Sequence, residues 1–318
     1  MLPAVFGKLP SGALKERIVR SPNYRDGAFR TLNPSPTFRQ MVGHGGIIWE
    51  VLFNRSKRNV PESPMAQVTT DLWSLPRDVD TIVWFGHSSY LLQVGGKRFL
   101  IDPVLCGNAS PLPFLVNAYN GSNVYHPEDI PEIDVLVLTH DHWDHLDYRS
   151  VMQIQDRAGM IVTGLGTSSH LLHWGVSREK IVECDWSDSV DLGGGFSMTC
   201  TPARHFTGRL FTRNQTLWTS WVLQTPERRI YLGGDSGYDT HFRAIGEQYG
   251  PFDLAILECG QYNEYWRALH MMPEETAKAA VDLNATTLLP VHWAKFSLAL
   301  HAWDDPIIRV LAEAKILG

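Results

Sequence analysis

The sequence predicts an α/β fold of four layers, two β-sheets packed face to face with helices on the outer sides. Three observations carry that prediction. From Thr81 onward the chain runs twice through the same order, short β-rich segments first and alternating strands and helices second. The segment "IDVLVLT", residues 133–139, is apolar without alternation, the pattern of a strand covered on both faces. Directly after it stands "HDHWDH", residues 140–145, at a strand end, where open α/β sheets present their functional groups.

Taken in order, residues 1–75 are poor in periodic pattern and rich in Pro, Arg and Ser. "SPNYRDGAFRTLNPSPTF" reads as irregular chain broken by turns, so this part is expected to be an N-terminal extension packed on a domain of residues 76–318. That domain opens with "TIVWFG", "SYLLQVG" and "KRFLIDP", the last two joined by Gly95 and Gly96 as in a hairpin. After the apolar strand, "YRSVMQIQDRA" has a helical pattern, "MIVTGL" reads as a strand and "TSSHLLHWG" as a short helix ending at Gly175. The second half starts β-rich with "KIVEC", "FSMTCTPA", "LWTSWVLQT" and "RRIYLGGD". It ends with strand "FDLAILECG", helix "PEETAKAAVDL", strand "TTLLPVH" and helix "DDPIIRVLAEAKI". Pro273 and the two glutamates after it make a good helix N-terminus.

Bulk properties exclude several classes. Hydrophobic residues at 44% and charged residues at 19% fit a globular chain with a sizeable core. A net charge of -6 argues against a protein that neutralises a phosphate backbone, so no nucleic-acid partner is expected. None of the four cysteines forms a C-x-x-C pair, which removes zinc-knuckle and thioredoxin-like motifs. The N-terminus lacks a basic start followed by an apolar core, and no apolar run approaches the ~20 residues of a membrane span. The expectation is a cytoplasmic protein with reduced thiols, in peripheral contact with membrane if its substrate is a lipid. The sequence sets no oligomeric state.

The density of imidazole and carboxylate in residues 140–145 has no structural motive, and it matches what zinc and similar ions take as ligands. His140 and His142, two apart in extended chain, can turn toward one ion. Asp144 and His145 suit a second ion a few ångströms away. Two ions need more donors, and His205, Asp235 and His292 each follow a β-rich run. Gly233 and Gly234 before Asp235 let backbones approach closely. His44, His126, His170, His173 and His241 read as surface or core residues.

These residues identify a family. "THDHWDHLD" resembles the signature of the metallo-β-lactamase superfamily. "WFGHSSYLLQVGGKRFLIDPVL", "TPARHFTGR", "YLGGDSGY", "LHMMPEET" and "LLPVHWAKFSLA" resemble its branch containing N-acyl-phosphatidylethanolamine-hydrolysing phospholipase D. The resemblance implies the αββα sandwich of that superfamily, with the site at one edge between the sheets. It implies one metal on His140, His142 and His205, another on Asp144, His145 and His292, and Asp235 bridging both. It also places His270 near the pocket.

The implied chemistry is hydrolysis by a dinuclear centre, zinc being the expected ion and iron or manganese also suiting the donors. Two such ions share a water, lower its pKa and supply a hydroxide nucleophile for a phosphodiester, as of an N-acyl phospholipid. Asp144, Asp235 and His270 are the catalytic candidates. Asp102 is a candidate partner for a ligating imidazole. His87 is placed on the substrate side, and Arg204 and Arg209 are candidates for attracting an anion. An apolar groove for an acyl chain is expected from Pro111–Val116 and Tyr262–Met272. A lactonase or other small-molecule hydrolase on the same scaffold is the alternative, since fold does not dictate function. A nuclease would need a basic stripe that is missing.

Overall fold

The computed structural model describes residues 3–35, 55–209 and 212–318. Helix α1 (Gly12–Val19) and a small hairpin of β1 (Tyr24–Arg25) and β2 (Ala28–Phe29) precede the sandwich. This corrects the reading of residues 1–75 as irregular throughout; residues 36–54 of that stretch, with His44, lie outside the described residues. The sequence "GALKERIV" hides its helix because only Ile18 of the eight residues is buried. Ile18 and Phe29 reach the core between the sheets, and Phe29 N donates to Asn214 O at 2.9 Å.

The first sheet holds, in spatial order, β3 (Thr81–Trp84), β4 (Tyr90–Val94), β5 (Lys97–Ile101), β6 (Ile133–Leu138), β7 (Ala158–Gly164) and β8 (Ile181–Cys184). Its first three strands are antiparallel and the rest parallel. Helices α2 (Tyr148–Ile154) and α3 (Ser168–His173) lie in its crossovers. The second sheet repeats the plan with β9 (Ser189–Gly193), β10 (Phe196–Thr201), β11 (Ser220–Gln224), β12 (Arg229–Leu232), β13 (Leu254–Glu258) and β14 (Leu288–Val291). Antiparallel pairs again come first and parallel pairs last. Helices α4 (His241–Tyr249) and α5 (Pro273–Asp282) belong to this half, and α6 (Asp305–Leu317) ends the chain. The αββα sandwich expected from the sequence is the architecture observed.

Strand periodicity explains the layers. Val135 and Val137 of β6 point into the core between the sheets with Trp221 and Leu223 of β11. Leu136 and Leu138 point the other way, toward Val151 and Leu171 of α2 and α3. On the second sheet Ala255 and Leu257 face Phe242 and Ala279 of α4 and α5, while Ile256 faces inward. Both faces are covered, hence the unbroken apolar run.

Strand β11 is shorter than "LWTSWVLQT" suggested. Leu217 and Thr219 leave the ladder and donate across to the other half, to Leu165 O at 2.8 Å and Thr139 O at 3.0 Å. These bonds close the sandwich at one edge. Among the described residues no helix is long and apolar enough to cross a membrane.

Candidate metal centre

The sandwich directs the ends of several strands to one edge. Asp102 follows β5, Thr139–His145 follow β6, His205 lies beyond β10, Asp235 beyond β12, Glu258 ends β13 and His292 follows β14. Gly234 makes the approach feasible: a Cβ there would sit 2.6 Å from Thr219 O and 3.1 Å from the Thr139 Cβ of the opposite half.

The structure brings the seven expected donors together. His140, His142, His205 and Asp235 offer ligand atoms within 4.8 Å of one another, and so do His87, Asp144, His145 and His292. Asp235 joins the two groups. Its carboxylate lies 3.1 Å from His145 Nε2, 3.2 Å from His292 Nδ1, 3.7 Å from His205 Nε2 and 3.8 Å from His140 Nε2.

Neighbouring groups fix the imidazole tautomers. Asp102 Oδ2 takes His145 Nδ1–H at 2.7 Å and the Thr139 hydroxyl at 2.6 Å. The Thr139 oxygen then accepts from His140 Nδ1 at 3.1 Å, and Leu269 O accepts from His205 Nδ1 at 2.9 Å. His140, His145 and His205 are left with Nε2 lone pairs aimed at the centre. His140 Nε2 and His205 Nε2 lie 2.9 and 3.2 Å from His142 Nδ1, and one N–H cannot satisfy all three nitrogens.

These residues fit bound metal cations. Both Asp235 oxygens, His145 Nε2 and His292 Nε2 are buried without a hydrogen-bond partner, a costly state that a cation relieves. Burial holds His140, His205 and His292 below the usual histidine range, in the neutral form that ligation needs. Burial alone would also lower His145, but Asp235, Asp144 and Asp102 raise it well above that range, so that without a cation a proton takes the cation's place on its Nε2. The cluster therefore attracts positive charge.

Several expectations need correction. His87, assigned to the substrate side, is fully buried; its Nε2 lies 2.9 Å from Asp144 Oδ2 and its ring centroid 4.0 Å from that of His292. Arg209 is buried against backbone carbonyls. Arg204 donates to Ser35 Oγ and to Pro34 O and faces Asp239, so neither arginine is a free anion receptor. As expected of surface or core residues, His170 and His241 are buried with polar partners, whereas His126 and His173 are exposed. Of the two segments expected to form an apolar groove, 262–272 lines a cavity through Tyr262, Tyr265 and Met272, together with Leu300 and His301. Phe114 is instead 69% exposed, while Met271 is fully buried. A second cavity, of about 640 Å³, opens beside His205, with Leu269 of segment 262–272, Phe29 and Trp218 in its wall and Arg25 and Arg30 among its polar lining.

Sequence reasoning missed Glu258. Its Oε2 holds His270 Nδ1 at 2.8 Å and its Oε1 accepts from Ser236 N at 2.8 Å. The His270 ring lies 5.2 Å from the His292 ring, nearly parallel at 16°. Burial raises Glu258 to about 7, and although burial would lower His270, the Glu258 charge raises it to about 9. The only sequence signal was the strand-end position that Glu258 shares with the other site residues.

Fold and donor set together define a metal-dependent hydrolase of the αββα class. The family model described as "Beta-lactamase superfamily domain" matches residues 97–293. An uncharacterized protein of Mycobacterium tuberculosis is 38% identical over 326 aligned positions, covering 98% of this chain and 85% of that protein. The N-acyl-phosphatidylethanolamine-hydrolyzing phospholipase D 1 of Caenorhabditis elegans is 31% identical over 232 positions, covering 68% of this chain and 64% of that protein. Igni18, a metallo hydrolase from Ignicoccus hospitalis, superimposes with a TM-score of 0.53 at 22% identity, covering 67% of this chain and 82% of that one. The chain belongs to the metallo-β-lactamase superfamily and resembles its N-acyl-phosphatidylethanolamine-hydrolysing branch.

Proposed function

We propose that this protein is a dinuclear-metal phosphodiesterase of phospholipase D type, acting on an acylated phospholipid such as an N-acyl ethanolamine phospholipid. The observation that carries the dinuclear reading is Asp235, a buried carboxylate without a hydrogen-bond donor, set among imidazoles of both donor groups. His140, His142 and His205 would hold one ion, and Asp144, His145 and His292 the other, with Asp235 between them. Zinc is the ion of choice, with iron or manganese accepted by the same donors. When bound, the pair supplies Lewis-acid polarisation and an activated water.

The chain's own residues do the rest. Asp102, Thr139 and Leu269 O keep three imidazole lone pairs inward. His87 orients Asp144, which together with Asp235 is placed to hold a proton of the water. Glu258 occupies His270 Nδ1, so the other ring nitrogen is the one free to deliver a proton to a departing alkoxide.

The relative from Caenorhabditis elegans supports the lipid reading, as does the cavity beside His205, whose apolar wall suits an acyl chain. Arg25 and Arg30 in that cavity favour a second reading, a small anionic ester or lactone. The two separate on chain length. An acyl chain in the cavity gains ~0.8 kcal/mol, roughly fourfold, per buried CH₂. The specificity constant for a homologous phosphodiester series, measured below the critical micelle concentration, should rise with chain length. A flat dependence rejects the lipid substrate and leaves the metal chemistry standing.

A further inference from the structure

We propose that Arg209 is a positioning residue for the loop that carries His142, Asp144 and His145, and that residues Val5–Lys8 complete its hold. The proposal rests on the metal-centre reading above. The loop leaves β6 without regular structure, so its carbonyls need partners from elsewhere. Arg209 supplies them: Nη1 donates to Asp141 O at 2.9 Å and Leu146 O at 2.8 Å, one at each end of the loop. Its guanidinium lies 3.8 Å from the centre of the Trp143 ring, inside the same loop. Nη2 donates to Val5 O at 2.9 Å, which ties the N-terminal segment to the loop through one side chain.

A second connection runs through Asp141, between the two histidines of the H-x-H pair. Its carboxylate accepts from Gly208 N at 2.7 Å and Thr216 Oγ1 at 2.9 Å, and meets His170 Nε2 at 3.2 Å. The opposite nitrogen of His170 accepts from Lys8 N at 3.1 Å. Phe6 stands edge-on to Trp143, centroids 5.5 Å apart. The N-terminal segment thus reaches the metal loop by two polar routes and one aromatic contact, all outside the donor set. A planar guanidinium that serves the two loop carbonyls from Nη1, Val5 O from Nη2 and the Trp143 indole from its face cannot be matched by a lysine ammonium, a single point charge. Groups that orient metal ligands typically contribute 10–100-fold to metal affinity.

The test uses the wild-type chain, Arg209→Met, Arg209→Lys and Gly7→Ala. Gly7 has φ +72°, and a Cβ there would overlap His170 Nδ1, so its substitution displaces the segment without touching the loop. Zinc affinity is measured by competition with a chromophoric chelator, and amide hydrogen exchange of residues 140–146 is followed in the metal-free proteins. Both Arg209 variants should bind zinc roughly 10–100-fold more weakly and exchange faster in the loop. Gly7→Ala should move in the same direction by a smaller factor. Variants that melt earlier yet bind zinc within twofold of wild type would show that Arg209 supports the fold alone, and would overturn the proposal. If Arg209→Met does not fold, Arg209→Lys and Gly7→Ala decide by the same criterion. A wild type that binds no zinc, iron or manganese overturns the metal centre itself, and this proposal with it.

Discussion

Glu258 and His270 form a buried hydrogen-bonded pair beside the candidate metal donors. Glu258 is 1% exposed, so its charge persists only through its partners. Glu258→Gln keeps the shape and removes the charge that holds His270 Nδ1–H. Turnover should fall roughly 10–100-fold while metal content stays at the wild-type level. Kinetics and metal analysis on the same preparation check this, and unchanged turnover would remove His270 from the proton path. The seven residues that cluster at the sheet edge were legible in the sequence, because histidine and aspartate at strand ends follow a pattern. Glu258, Asp141 and Arg209 were not. A lone acid after an apolar run carries no signature, and the partners of Asp141 and Arg209 lie tens of residues away. Arg209 read as a cation for substrate because charge is visible in a sequence and burial is not.

The elements that build the edge depend on two backbones meeting closely. At Gly234 an added methyl would press on Thr219 O and on the Thr139 side chain, both parts of the seam between the halves. Gly234→Ala should destabilise the fold by ~1–3 kcal/mol, the usual cost of overpacking. Urea unfolding measures it, and a change near zero would show that the sheets are not held this tightly here. Most strands could be read from residue patterns because they are apolar on one or both faces. β9 could not: in "SVDLG" every residue is exposed or half-buried, and five residues make a weak alternation. Helix α4 carries Gly246 in its middle, which lowers helix propensity and masks the face on which Phe242 and Ile245, three residues apart, pack against the second sheet. The shortened β11 reflects bonds across to the other half that no local pattern encodes.

At the scale of the whole molecule, the two halves are pinned by groups around the site. His87 N donates to Trp293 O and His292 N to His87 O, each at 2.8 Å. Lys295, 1% exposed, crosses the same seam and donates to Phe85 O at 3.0 Å and Val104 O at 2.9 Å. Burial lowers its pKa from 10.5 to about 7. Below pH 7 the amine is charged in both folded and unfolded chains, and the full cost of burying it is felt. Between the two values the unfolded chain holds a proton that the native one releases, so this group makes stability rise with pH, by at most ~1.4 kcal/mol per unit. Lys295→Met should flatten the wild-type slope of unfolding free energy between pH 7 and 9, and an identical slope would show that Lys295 does not titrate there. The proposed hydrolysis turns on Asp235 and the six donors around it holding two divalent ions. The most direct test of this is the metal stoichiometry of wild type and Asp235→Asn after expression with added zinc, iron or manganese. About two ions per wild-type chain are expected, by the donor geometry of such sites, and fewer in the variant. A wild-type chain that retains no ion, or an Asp235→Asn chain that retains both, would contradict it.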